Sequence, residues 1–118
     1  MNKVEIFINE GEPQIRKLLE ITLESNDYKV WLAESAKEGI VMAANHPPEL
    51  ILLDIGLPEK NGHDVLTELR TWYNKSIIIL SVQNSEESIV QALDNGATDY
   101  LTKPFRTAEL LARIRSAI

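Results

Sequence analysis

Cysteine is absent from this 118-residue sequence, which excludes a disulfide framework and any thiolate metal site. No apolar stretch approaches the roughly 20 residues that span a bilayer, and the N-terminus lacks a signal-peptide pattern. A cytoplasmic protein with no membrane partner is the expectation. Positive charge is also scarce: 12 Lys and Arg against 18 Asp and Glu leave a net charge of −6. Gripping nucleic acid needs a basic face, so DNA contact would have to come from a segment outside this one. Internal repeats, linkers and low-complexity tracts are missing too, and residues 1–118 read as one domain. What is present is ordinary for a globular chain, with 44% apolar and 25% charged residues and enough length to bury a core without staples.

The hydrophobic pattern switches regularly between two periods. Short apolar runs rich in Ile, Leu and Val occupy residues 3–9, 28–33, 49–53, 76–80 and 99–102, as strands buried on both faces do. Helical spacing fills the intervals. Ile15, Leu18, Leu19 and Leu23 form one stripe, and Leu110, Leu111 and Ile114 form another. Pro13 suits a first helical turn, and Ser35 with Glu38 has the spacing of a capping box. Asn61-Gly62 turns into the third helix. Asn84 or Ser85 opens the fourth, and Asn95-Gly96 closes it with a left-handed cap. Five β-α units joined by short loops predict an α/β, doubly wound parallel sheet, because parallel neighbours need crossover helices.

Four polar residues end the apolar runs: Glu10, Asp54, Ser81 and Lys103. In a parallel sheet they meet on the edge where open α/β folds place their chemistry. Taken singly, Asp54 is a helix cap or loop aspartate, Ser81 a hydroxyl bonded to nearby backbone, and Lys103 a solvated lysine. Their convergence favours a phosphate-handling site. A carboxylate can attack phosphorus and form an acyl phosphate, and the transferred group needs cations and donors around its oxygens. Lys103 offers a point charge and Ser81 a hydroxyl. Glu10, Asp54 and the backbone carbonyl of Gly56 offer oxygen ligands to Mg²⁺. Lys103-Pro104 is restricted to extended backbone and suits a cis bond. Tyr100 reads as a half-buried strand aromatic, and His46 and His63 as surface residues. Trp31 or Trp72 would report metal binding if either lay near the site.

At these residues the chain resembles the receiver domains of bacterial two-component response regulators. The motifs are the acidic loop N-E-G-E-P-Q-I-R-K-L-L, the run L-L-D-I-G-L-P, then I-L-S, G-A-T-D-Y and L-T-K-P-F. Within that family it is similar to the OmpR/PhoB-type branch, with KdpE-like stretches. The resemblance implies a flavodoxin-like (CheY-like) fold, with five strands in order 2-1-3-4-5 and five helices. It implies that a sensor histidine kinase phosphorylates Asp54 with Mg²⁺ as cofactor. Lys103 would contact the phosphoryl group, Ser81 would swing to bond it, and Tyr100 would rotate inward. The domain would signal rather than act as an enzyme. A homodimer would form through the fourth helix, fifth strand and fifth helix, positioning a C-terminal winged-helix output domain on DNA.

Two departures from the family pattern stand out. The family carries two adjacent acids in the first loop; Glu10 matches the first, but Gly11 stands where the second would ligate metal. Glu12, one residue on, is expected to face away. On the dimer face Asp99 and Arg113 match a family ion pair. Ile89 replaces the lysine that would pair with Glu109, adding apolar surface, and Thr98 replaces the aspartate that would pair with Arg115. A phosphoryl-accepting switch and a phosphorylation-independent pseudo-receiver, an interaction module keeping fold and dimer face, both remain open. Enzymes of this topology fit less well. A flavin-binding loop would not be the acidic Asn9-Glu10-Gly11-Glu12, and a haloacid-dehalogenase-type hydrolase needs an aspartate where Gly56 stands.

Overall fold

The computed structural model describes residues 3–56 and 61–118. Among the described residues five strands and five helices alternate: β1 Glu5–Asn9, α1 Pro13–Ser25, β2 Lys29–Ala33, α2 Ala36–Asn45, β3 Leu50–Asp54, α3 Gly62–Arg70, β4 Ser76–Ser81, α4 Glu86–Asp94, β5 Asp99–Thr102 and α5 Thr107–Ala117. The strands form one sheet in the order β2-β1-β3-β4-β5, and every pairing is parallel. Each strand falls on its apolar run to within two residues.

Alternation along the strands divides the core between the two faces of the sheet. Ile6, Ile8, Leu50, Leu52, Ile78, Leu80 and Leu101 pack under Leu19 and Leu23 of α1 and Leu110 and Ile114 of α5. Phe7, Ile51, Leu53, Ile77 and Ile79 face the other way, against Ala43, Val65, Leu66, Leu69 and Ala92 of α2, α3 and α4. Removing any of these large side chains costs about 2–5 kcal/mol. The expected α1 stripe is narrower than its spacing suggests, because Leu18 is 48% exposed.

The helix ends follow local chemistry. Pro13 starts α1, Ser35 Oγ accepts the Glu38 N–H at 3.1 Å, and Asn61 Oδ1 accepts the His63 N–H at 2.8 Å. Of the two candidates for α4, Ser85 is the cap, its Oγ accepting the Ser88 N–H. Gly96, at φ +109°, ends α4, with the N–H groups of Gly96 and Ala97 donating to Leu93 O and Ala92 O. A second left-handed cap, at a residue other than glycine, follows α1: Asp27 at φ 69°. Gly62 matters for a different reason, close approach. Its N–H donates to Ile55 O at 3.0 Å, and a Cβ there would lie 2.3 Å from Ile55 Cα. That contact pulls the start of α3 against the chain leaving Asp54.

Candidate functional site

The C-terminal ends of β1, β3, β4 and β5 bring Glu10, Asp54, Ser81 and Lys103 to one edge, as the apolar runs predicted. Lys103 Nζ lies 2.7 Å from Glu10 Oε1, 3.5 Å from Asp54 Oδ1 and 3.5 Å from Glu12 Oε1. The Lys103 N–H donates to Ser81 O at 2.7 Å, which locks the start of its loop to β4. The Lys103-Pro104 bond is cis.

The two acids at this edge have different surroundings. The Glu10 side chain is fully buried and the Asp54 side chain 8% exposed. Glu10 Oε2 accepts the Glu12 N–H at 2.9 Å, and Arg16 holds the Glu10 backbone carbonyl. Burial pushes the Glu10 carboxyl above its usual range; the Lys103 hydrogen bond and the Glu12 N–H oppose that, and the neighbouring Asp54 adds to it. For Lys103, burial works to lower the pKa. The hydrogen bond and charge of Glu10, with the charges of Asp54 and Glu12, outweigh it and hold the ammonium above its ordinary value. Asp54 Oδ1 accepts the Gly56 N–H at 2.9 Å and Oδ2 the Gly11 N–H at 3.4 Å.

A cavity of about 820 Å³ opens beside Asp54, lined among others by Gly11, Glu12, Gly56, Ser81, His63 and Lys103. Glu10 is not among its described lining residues; its carboxylate is tucked beneath Lys103. Glu12 corrects the expectation that it faces away, since it lines the cavity and approaches Lys103. Asp54 and Glu12 give the wall two hard oxygen donors, which suits Mg²⁺, an ion that takes one or two carboxylates and keeps several waters. Three acidic or histidine side chains do not converge as a metal cage among the described residues.

His63 is a second correction. It is 9% exposed rather than a surface residue, and its buried Nδ1 has no hydrogen-bond partner among the described residues. Nothing in its sequence spacing signals this; the tight Gly62–Ile55 contact draws the first turn of α3 inward. His46 is exposed as expected and bonds Glu5 at 2.9 Å.

Tyr100 is buried rather than half-buried. Its hydroxyl donates to Gln83 O at 2.8 Å and lies 3.1 Å from Ser88 Oγ. Ser81 Oγ accepts the Gln83 N–H at 2.9 Å, so a short hydrogen-bonded chain joins the end of β4 to α4 and β5. Trp31 packs against Phe7 within the sheet and Trp72 follows the C-terminus of α3. Neither lines the cavity, so neither indole is placed to report on it.

On the α4–β5–α5 face, Arg113 pairs within the chain with Asp99 at 3.0 Å and with Glu109 at 3.1 Å. Arg115 is exposed. Thr98 turns toward the sheet, its Oγ1 accepting the Ile77 N–H at 3.0 Å. Ile89 does not add the expected apolar surface, because it packs partly buried against the core. Val90 and Leu93, 46% and 44% exposed, are the apolar side chains α4 presents.

Residues 6–115 match the response regulator receiver domain family. The chain belongs to that family. It is 43% identical over 113 residues to the transcriptional regulatory protein KdpE of Mycobacterium tuberculosis H37Rv, covering 96% of this chain and 50% of that protein. The KDP operon transcriptional regulatory protein KdpE of Escherichia coli K12 is 42% identical with the same coverage. This receiver chain therefore spans about half the length of the curated relatives it matches. Among solved structures, the BeF3-activated N-terminal receiver domain of Klebsiella pneumoniae RstA superposes with a TM-score of 0.92 at 31% identity, over 96% of this chain and 97% of that one. A Clostridium difficile two-component response regulator gives 0.94 at 27% identity, over 98% and 95%.

Proposed function

We propose that this receiver accepts a phosphoryl group on Asp54 from a sensor histidine kinase. The P–N bond of the donor phosphohistidine breaks as a P–O bond forms to the Asp54 carboxylate, giving an acyl phosphate. The observation that carries the reading is the setting of Asp54: a nearly buried carboxylate on the wall of an open cavity, with Lys103 Nζ at 3.5 Å and the Gly56 N–H at 2.9 Å. Lys103 then has charge to give to the incoming phosphoryl oxygens, where preorganised donors are most effective. A bound Mg²⁺ would neutralise further phosphoryl charge; Asp54 and the Gly56 carbonyl are the groups proposed to hold it, whereas Glu10, the third expected ligand, is buried beneath Lys103 and does not line the cavity.

Ser81 and Tyr100 are the proposed responders, since the Ser81–Gln83–Tyr100–Ser88 hydrogen bonds link the site to α4 and β5. The α4–β5–α5 face, with Val90, Leu93, Ile89, Asp99, Glu109, Arg113 and Arg115, is the proposed homodimer surface. A longer parent chain would follow it with a winged-helix domain that contacts DNA. Incubation with a small phosphodonor and Mg²⁺, followed by intact mass, tests the acceptor: one phosphoryl adduct is expected, and Asp54→Asn should abolish it. The pseudo-receiver reading draws on Gly11, which brings no side chain, and on Glu10, which is committed to Lys103. An unmodified mass under conditions that label an ordinary receiver would establish it instead.

A further inference from the structure

Glu12 stands one residue beyond the position where relatives carry their second loop acid, yet its carboxylate comes to the wall that Asp54 lines. We infer that Glu12 supplies the second carboxylate of a divalent-cation site in this chain, replacing the side chain Gly11 lacks. The inference rests on the proposed Asp54 chemistry and says which residue serves it.

Three observations support it. Glu12 Oε1 lies 3.5 Å from Lys103 Nζ, the same distance as Asp54 Oδ1, so both carboxylates flank one ammonium. Its side chain is free to respond. Glu12 occupies the N-cap of α1 without making a side-chain cap bond, and it is 60% exposed. Glu10, by contrast, is sealed under Lys103 and already accepts the Glu12 N–H; it positions the loop rather than facing the cavity.

Charge points the same way. Among the described residues Glu10, Glu12 and Asp54 surround the Lys103 ammonium, and a small dication offsets the excess of negative charge these groups leave. Gly11 does not need to be glycine for its backbone, since Gly96 alone among the described glycines has positive φ. Gly11→Asp is therefore a usable comparison, in which the acid returns to the position relatives use.

The test is Mg²⁺ titration of the 118-residue chain by calorimetry, repeated with Mn²⁺ by following paramagnetic broadening of backbone amide resonances. The wild type should bind, with broadening centred on Gly11, Glu12 and Gly56. Glu12→Gln should weaken binding by at least about tenfold, the scale at which metal sites respond to loss of a supporting group. In Gly11→Asp the further loss on adding Glu12→Gln should shrink, because the two acids are interchangeable. Affinity within twofold of wild type in Glu12→Gln overturns the inference, as does a wild type that binds neither ion while Gly11→Asp binds both. Phosphodonor labelling of the same variants separates the two readings. Labelling with an unchanged Mg²⁺ requirement in Glu12→Gln sinks the role of Glu12 and leaves the acceptor standing. Tenfold weaker metal binding with no labelling in any variant does the reverse.

Discussion

Replacing Lys103 with methionine removes the cation paired with the fully buried Glu10 carboxylate. At 2.7 Å the Lys103–Glu10 attraction is about 6 kcal/mol at an effective dielectric near 20, and each carboxylate at 3.5 Å adds about 5 kcal/mol before solvent screening. Most of that gross energy offsets desolvation, so the net loss on breaking such a pair is about 3–5 kcal/mol. For a domain whose whole stability is about 5–15 kcal/mol, that is a large fraction. The loss should depend on pH with a definite sign. Glu10 already titrates above 4.5 in the wild type, and without the ammonium it should climb further. Between the unfolded value and that higher folded value the native state holds one more proton than the unfolded chain. Stability of the variant should therefore fall as pH rises through that window, by up to about 1.4 kcal/mol per pH unit. Urea denaturation followed by far-UV circular dichroism at pH 5 and pH 8, with wild type alongside, measures it. Glu10→Gln in the same background should recover most of the loss at pH 8. A Lys103→Met protein within 1 kcal/mol of wild type at pH 8, or equally destabilised at both pH values, would refute the reasoning.

Three further outcomes are expected. Asp27→Gly relieves a non-glycine residue at φ 69° and gives up an exposed pairing with Lys3 that contributes little; the urea midpoint should rise by the equivalent of about 0.5–1 kcal/mol, and a lower midpoint would contradict this. Glu5 titrates below 4.5 because the Trp31 indole and then His46 hydrogen-bond its carboxylate. Its contribution is therefore present above pH 4.5 and lost as pH falls through the lower folded value. The stability difference between wild type and Glu5→Gln should shrink on acidification from pH 5.5 to 2.5, and a constant difference would exclude that coupling. Gly62→Ala forces a Cβ against Ile55 backbone and should cost about 1–3 kcal/mol, read as a lower urea midpoint with unchanged slope; a neutral substitution would show that the approach of α3 is not tight.

Much of the fold was legible because buried parallel strands write themselves as apolar runs and helices as a 3.6-residue period. The strand-end position of Glu10, Asp54, Ser81 and Lys103 followed from those runs alone. The errors fall where a side chain's direction depends on a neighbour's backbone. Glu12 turns to the cavity because of how the loop enters α1, and no periodicity covers a three-residue connection. His63 is drawn inward by the Gly62–Ile55 contact, which joins residues of different elements. Ile89 shows a helical face only after α4 has settled on the sheet. Asp27 carries no such signal, because glycine is the usual residue of a left-handed cap although aspartate also tolerates that conformation. At Tyr100 the strand pattern was right and the hydroxyl's partners were invisible, since Gln83 and Ser88 lie in a different loop and helix.

The strand order also groups the chain into two consecutive blocks. Residues 5–54 build β2, β1 and β3 with β1 in the middle, and residues 76–102 add β4 and β5 along the free side of β3. Glu10 and Asp54 belong to the first block, Ser81 and Lys103 to the second. Partial opening of the second block would strip Lys103 from a carboxylate with no access to water. The buried pair thus acts as a latch against subglobal unfolding, tying the two blocks into a single cooperative unit. In hydrogen exchange, amides of β4 and β5 should become freely exchanging at the same denaturant concentration as those of β1 and β3, and should separate from them once the latch is removed.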